Sequence, residues 1–141
     1  MSTIYWDSMV FIYLLEAHPQ FLPKVQRILG RIERRGDTLA TSILTLGEVL
    51  TGPRRTGDTD VVKSIKAYFL SGRIALLPFD IETADRYSIL RSSLKVTQAD
   101  AIHLSTAAVV GVDMFVTNDK SLWNKVIPGI RFMMDLDGVV H

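Results

Sequence analysis

Asp7, Glu48, Asp100 and Asp119 are the residues of this sequence best placed to do chemistry together. Asp7 directly follows the run Thr3-Ile4-Tyr5-Trp6, and Asp119 closes Phe115-Val116-Thr117-Asn118-Asp119. Glu48 interrupts the apolar stretch Leu44-Thr45-Leu46-Gly47-Glu48-Val49-Leu50, and its helical neighbours Leu44, Thr45, Thr51 and Gly52 include no basic partner. Asp100 opens the Ala-rich stretch Gln98-Ala99-Asp100-Ala101-Ile102-His103-Leu104. Two carboxylates about 4 Å apart repel by roughly 4 kcal/mol at an effective dielectric near 20. A group of four therefore needs compensation, and divalent cations are the obvious source. With no Cys in the chain, hard oxygen donors favour Mg²⁺ or Mn²⁺ over zinc, and two such ions can clamp the attacking and leaving oxygens of a phosphodiester in line. The reaction class this implies is phosphodiester hydrolysis. Each acid also has an ordinary structural use: Asp7 and Asp119 as helix N-caps, Asp100 as a complement to a helix dipole.

The elements that must position these acids alternate along the chain. Short β-branched or apolar runs predict strands at 3–6, 38–41, 74–77 and 114–117, with a last one near 130–134. Between them the period predicts helices at about 8–16, 20–35, 43–51, 59–71, 81–93 and 97–110. Gly36 and Gly111 are read as helix stops, and Gly52-Pro53 as the end of the third helix, leaving Gly52 to Gly57 as a mobile loop that carries Arg54 and Arg55. This order predicts an α/β fold built of βαβ units around a mostly parallel sheet of four to five strands. In such sheets ligands bind beyond the carboxyl ends of the strands, where the four acids are expected to fall.

The 141 residues, 48% of them hydrophobic, suit one compact domain spanning 1–141. No basic segment precedes an apolar run at the N-terminus and no long uninterrupted apolar stretch occurs, so a cytoplasmic protein with no membrane partner is expected. The net charge of +1 gives little long-range pull on nucleic acid, which places any such binding on a local basic patch.

Four segments in this order resemble the PIN-domain nucleases, and within them the VapC-type toxins of toxin-antitoxin pairs. They are Tyr5-Trp6-Asp7-Ser8 with Val10 to Glu16, Thr41-Ser42-Ile43-Leu44-Thr45-Leu46-Gly47-Glu48-Val49-Leu50, Thr97 to Ala107, and Phe115 to Asp119, with 41, 52 and 19 residues between successive acids. The resemblance covers nearly the whole chain. It implies a three-layer α/β/α sandwich and Mg²⁺- or Mn²⁺-dependent cleavage of RNA to 5′-phosphate and 3′-hydroxyl ends. Asp7, Glu48, Asp100 and Asp119 would be the metal ligands or water-positioning groups, supported by Ser8, Thr117 and Asn118. It further implies a homodimer silenced by a cognate antitoxin protein, with Phe11, Leu14, Leu15, Phe21, Leu22, Ala67, Tyr68, Phe69 and Leu70 as apolar material either for those surfaces or for the ordinary core. One departure is Met9, where an Asn commonly stands in such proteins. Because the family includes members with little activity, a catalytically silent PIN-like module that binds RNA or protein is the alternative.

Lys24, Arg27, Arg31, Arg34 and Arg35 recur at three- and four-residue spacing and could hold RNA phosphates or form a solvated helix face. Arg54 and Arg55 are expected as the nearer phosphate contacts. His103, one turn after Asp100, is read as a packed or hydrogen-bonded histidine outside the catalytic set. The segment Phe132-Met133-Met134-Asp135-Leu136-Asp137-Gly138-Val139-Val140 resembles the opening motif of haloacid-dehalogenase-type phosphatases, but that motif must open a fold and here only His141 follows Val140. A receiver-type phosphoacceptor would want a second acid beside Asp7, and the sequence has none there.

Overall fold

The computed structural model describes residues 1–141. In chain order its elements are β1 (Thr3–Trp6), α1 (Ser8–Leu15), α2 (Leu22–Arg35), β2 (Thr38–Ser42), α3 (Ile43–Thr56), α4 (Thr59–Phe69), β3 (Ile74–Leu77), α5 (Ile81–Ser93), α6 (Gln98–Val110), β4 (Met114–Val116), α7 (Lys120–Trp123) and β5 (Phe132–Met134). All five strands are parallel and lie in the order β3-β2-β1-β4-β5. The predicted α/β class, strand positions and parallel sheet are all present.

Alternation along the strands sends successive side chains into two separate cores. Ile4, Trp6, Val116 and Met134 enter one, packed with Val10, Phe11, Val25, Ile28, Val49 and Phe69 from α1 to α4. Tyr5, Phe115 and Met133 enter the other, with Leu90, Leu104, Ala107 and Leu122 from α5 to α7. Helices on both faces make the three layers. Tyr5 and Phe115 are register partners across β1 and β4, and their rings stack at 5.0 Å. Phe11 and Phe69, for which ordinary core is the alternative to an interaction surface, are fully buried in the first core, because the helical period turns them toward Trp6 and toward each other.

The third helix does not stop at Gly52-Pro53. It runs to Thr56 with Pro53 inside it, so Gly52 to Thr56 is helix rather than loop. Proline in a helix removes one backbone bond at a cost of about 3 kcal/mol, and here packing of α3 against α4 and β2 offsets that loss. The stop is Gly57, whose φ of 70° is open to glycine at little cost. Its N–H meets the Arg54 carbonyl at 3.2 Å, and the next N–H, of Asp58, meets the Pro53 carbonyl at 3.0 Å.

Gly129 is the tightest point of the second layer. Its φ is 100°, and a Cβ there would lie 2.3 Å from the Ala108 carbonyl oxygen of α6. Gly129→Ala is therefore expected to lower stability by about 2 kcal/mol or more through combined backbone strain and overlap. The urea midpoint should fall measurably; an unchanged midpoint would show that the loop relaxes freely.

Candidate active site

Strand order reverses between β1 and β4: β2 and β3 are added on one side, β4 and β5 on the other. The carboxyl ends of those two central strands thus form the switch point, where loops diverge to opposite faces and leave a crevice. Asp7 follows β1 and Asp119 lies just beyond β4. The Asp7 N–H donates to the carbonyl of Val116 at 3.3 Å, fixing the first acid to the end of β4. Glu48 lies in the second turn of α3, which rises from the end of β2, and Asp100 lies in the first turn of α6, whose chain returns to β4.

Two of the acids are held by local bonds and a third by bonds from other elements. Oδ1 of Asp7 accepts from the Val10 N–H at 3.3 Å and caps α1. Oδ1 of Asp119 caps α7, accepting from the Ser121 N–H at 2.9 Å and its hydroxyl at 2.7 Å. The capping roles expected of these two residues are real, yet they coexist with placement at the switch point, because a strand end that feeds a helix needs an N-cap where the crevice opens. Oε1 of Glu48 accepts from the Ser8 hydroxyl and lies 3.0 Å from Nε2 of His103. Oε2 of Glu48 and Oδ2 of Asp119 carry no hydrogen bond. No three of the acids and histidines converge as a ready cage for a metal ion.

The electrostatics join what the capping bonds hold separately. Burial pushes the Asp7 carboxyl up to about 6, with the charge of Asp100 adding to the rise and the Thr117 hydroxyl and His103 opposing it. Asp100 is raised by burial first, then by Asp119 and Glu48, against the Thr97 hydroxyl and His103. Glu48 is held below the usual range chiefly by its bond to His103, helped by Ser8 and opposed by partial burial. All four acids therefore lie within one another's field, directly or through a neighbour. No Lys or Arg pairs with any of them.

Of the supporting residues, Ser8 reaches Glu48 rather than the adjacent Asp7. Thr117 stands between two acids, its Oγ1 accepting from the Asp119 N–H at 3.0 Å while its hydroxyl draws the Asp7 carboxyl down. Asn118 turns away and donates to the Tyr13 hydroxyl at 3.2 Å. Met9, at the departure noted above, is 45% exposed. His103 is a hydrogen-bonded core histidine as expected, 4% exposed, but its partners include Glu48, so it bears on the site in a way that its sequence position did not reveal. The available signal was its three-residue offset from Asp100 on α6.

The arginines are not gathered at the acids. Arg54 and Arg55 lie about 9 to 10.5 Å along the α3 axis from Glu48 at about 1.5 Å per residue, on the last turn of the same helix rather than on a loop. Lys24 pairs with Asp137 at 2.8 Å and Arg35 with Asp37 at 3.3 Å. Arg27, Arg31 and Arg34 border a groove of about 370 Å³ floored by Ile4, Ile28 and Met134, which contains none of the four acids. Asp135 of the phosphatase-like segment closes a turn: its Oδ1 accepts from the Asp137 and Val139 N–H groups, each at 2.9 Å, and its Oδ2 lies 3.0 Å from Nε2 of His141. These bonds outweigh its partial burial and hold it below the usual carboxylate range.

An open parallel sheet wound both ways from a switch point, with acidic residues at the strand and helix ends beside that point, defines a doubly wound α/β domain. The PIN domain family model matches residues 4–126, and the chain belongs to that family. Among solved structures, the fold is similar to VapBC2 from Rickettsia felis bound to a DNA fragment from their promoter, with a TM-score of 0.75 and 20% identity over 94% of this chain and 98% of that one. It is also similar to Mycobacterium tuberculosis VapC20, a sarcin-ricin loop cleaving toxin, with a TM-score of 0.70 and 16% identity over 87% and 96% of the two chains. A toxin-antitoxin complex from Klebsiella pneumoniae gives a TM-score of 0.65 and 20% identity over 90% and 94%. No curated protein sequence matches the chain. No helix is long and apolar enough to cross a membrane.

Proposed function

We propose that this protein is a metal-dependent endoribonuclease that hydrolyses RNA phosphodiesters at the Asp7, Glu48, Asp100 and Asp119 cluster, and that it is the toxin of a toxin-antitoxin pair. The observation that carries this reading is the placement of four acids around the switch point with no Lys or Arg paired to any of them, where burial, joined by smaller contributions from neighbouring acids, raises Asp7 and Asp100. Four oxygen donors without a thiolate suit Mg²⁺ or Mn²⁺, and these four residues would hold it. Bound there, such a cation supplies Lewis acidity toward a phosphodiester and a lowered pKa for water. Asp7, fixed at the end of β1 by its capping bond to the Val10 N–H, would help to orient the attacking water. Thr117 steadies Asp7 and the Asp119 backbone together. Arg54 and Arg55 are proposed as phosphate contacts for RNA lying along α3.

The toxin role rests on likeness to proteins solved as toxin-antitoxin assemblies. The partners it implies are a cognate antitoxin protein and a second copy of this chain. Half-buried Leu14, Leu15, Phe21 and Leu22, together with exposed Leu70, offer apolar surface for them. A second reading, a catalytically silent module that binds RNA or protein, is favoured by the lack of a ready three-donor cage among these acids.

One experiment separates the two. Purified protein is incubated with a mixed cellular RNA pool in Mn²⁺ or in EDTA, beside Asp7→Ala, and any new ends are mapped. Cuts with 5′-phosphate ends that need Mn²⁺ and vanish in the variant are expected. Equal cutting by wild type and Asp7→Ala would sink the site assignment, and no cutting by antitoxin-free protein would move the reading to the silent module.

A further inference from the structure

Tyr5 is fully buried in the middle of β1, and its hydroxyl reaches the end of β2 and the side of α6. The phenolic oxygen accepts the Ser42 N–H at 3.1 Å and lies 2.6 Å from Nδ1 of His103. Burial raises the phenol, which therefore keeps its hydrogen. With its oxygen already accepting from the backbone, that hydrogen is directed to Nδ1. An imidazole that accepts at Nδ1 carries its own hydrogen on Nε2. Nε2 faces Glu48 Oε1 at 3.0 Å and Ser8 Oγ at 2.9 Å, and the Ser8 hydroxyl itself donates to the same Glu48 oxygen.

We infer that Ser42 N–H, Tyr5, His103 and Ser8 form a one-way chain of donors that fixes the His103 tautomer and pins Oε1 of Glu48, leaving Oε2 as the oxygen the site uses. Tyr5 and His103 are then positioning residues: they act through Glu48 and neither is a ligand or a proton donor to substrate. A buried, four-bond arrangement of this kind would not be needed to hold a half-exposed glutamate for solubility. Its direction also matters, because reversing the tautomer would leave Nε2 a bare acceptor opposite a carboxylate, and Glu48 would swing away. The consequence for activity rests on the nuclease reading; the tautomer does not.

The test uses the full chain and two readouts. Long-range ¹H–¹⁵N spectra of the metal-free protein at pH 7.5, with the His103 signals identified by their loss in His103→Gln, are expected to show the Nε2–H tautomer. Tyr5→Phe, which keeps the ring stacked on Phe115 and deletes the hydroxyl that accepts from the Ser42 N–H and donates to His103, is expected to give a mixture of tautomers with circular dichroism unchanged. In calorimetric titration with Mn²⁺, removal of such a supporting bond should weaken binding about tenfold in Tyr5→Phe and by about ten- to a hundredfold in His103→Ala. His103→Gln should recover part of that loss, because its amide N–H can take the place of Nε2–H. A wild-type Nδ1–H tautomer, or Mn²⁺ affinities alike in wild type, Tyr5→Phe and His103→Ala, would overturn the inference. If Mn²⁺ bound to none of them, the nuclease reading would fall, and the tautomer in wild type and Tyr5→Phe would alone decide the donor chain.

Discussion

Asp7→Asn is expected to make the metal-free protein more stable than wild type at pH 7.5 by about 2 kcal/mol while abolishing metal-dependent RNA cleavage. The Asp7 carboxyl stands at about 6 in the fold against 3.8 as its ordinary value. For an acid raised on folding, the native state binds more protons than the unfolded chain between those two values, so stability is greatest below about 4 and is lost as pH rises through about 6. The full shift corresponds to about 3 kcal/mol, reduced to about 2 by the partial access of water to this crevice. Asn carries no charge to desolvate, and its carbonyl can still accept the Val10 N–H that caps α1. Glu48, lowered by His103 and Ser8, has the opposite pH dependence, but it is common to both proteins and cancels in the difference. Urea midpoints of the two proteins should converge near pH 4 and separate by pH 7.5. Equal midpoints across that range would mean that Asp7 is not held in an unfavourable charged state.

The second large effect expected is stabilisation by a divalent cation. If the acids hold Mn²⁺, its charge favours the ionised form of Asp7 and Asp100, which burial first and neighbouring acids second disfavour. Free Mn²⁺ at a hundred times its dissociation constant stabilises the native state by about 2.7 kcal/mol. For a chain of this size that moves the melting temperature up by about 5 to 10 °C. Asp7→Asn and Asp100→Asn should each start higher in EDTA and gain much less from Mn²⁺. A rise of the same size in wild type and in both variants would place the ion elsewhere on the surface. The combination of a stabilising substitution with lost activity is what separates a functional acid from a structural cap: Asp119, if it were only a cap for α7, would lose stability when replaced by Ala and leave cleavage untouched.

Much of this molecule is legible in its sequence. The five strands fall where short apolar runs occur, since a parallel strand covered on both faces must be apolar along its length. Helix bounds were clear where a glycine able to take a positive φ ends them, as at Gly36 and Gly111. At α3 the local signal and the structure differ, because a proline signals a break locally whereas continued packing against α4 is a property of the assembled layers. Phe11 and Phe69 were similarly ambiguous: an apolar residue on a helix reads alike whether it meets a partner protein or Trp6.

The sequence by itself determined the identity of the four acids, their positions after strands or at helix starts, and hence the chemistry that they invite. Those features are local, set by residue type and by the element that each residue begins or ends. Tertiary structure alone decided which side chains serve which acid. Ser8 follows Asp7 in the chain yet bonds Glu48, Asn118 precedes Asp119 yet bonds Tyr13, and His103 joins Glu48 across 55 residues and Tyr5 across 98. The reason is geometric: side chains on adjacent positions diverge by roughly 100° around a helix or to opposite faces of a strand, so the partner of a functional group comes from another element, and only the packing of β1, β2, α3 and α6 brings those elements together.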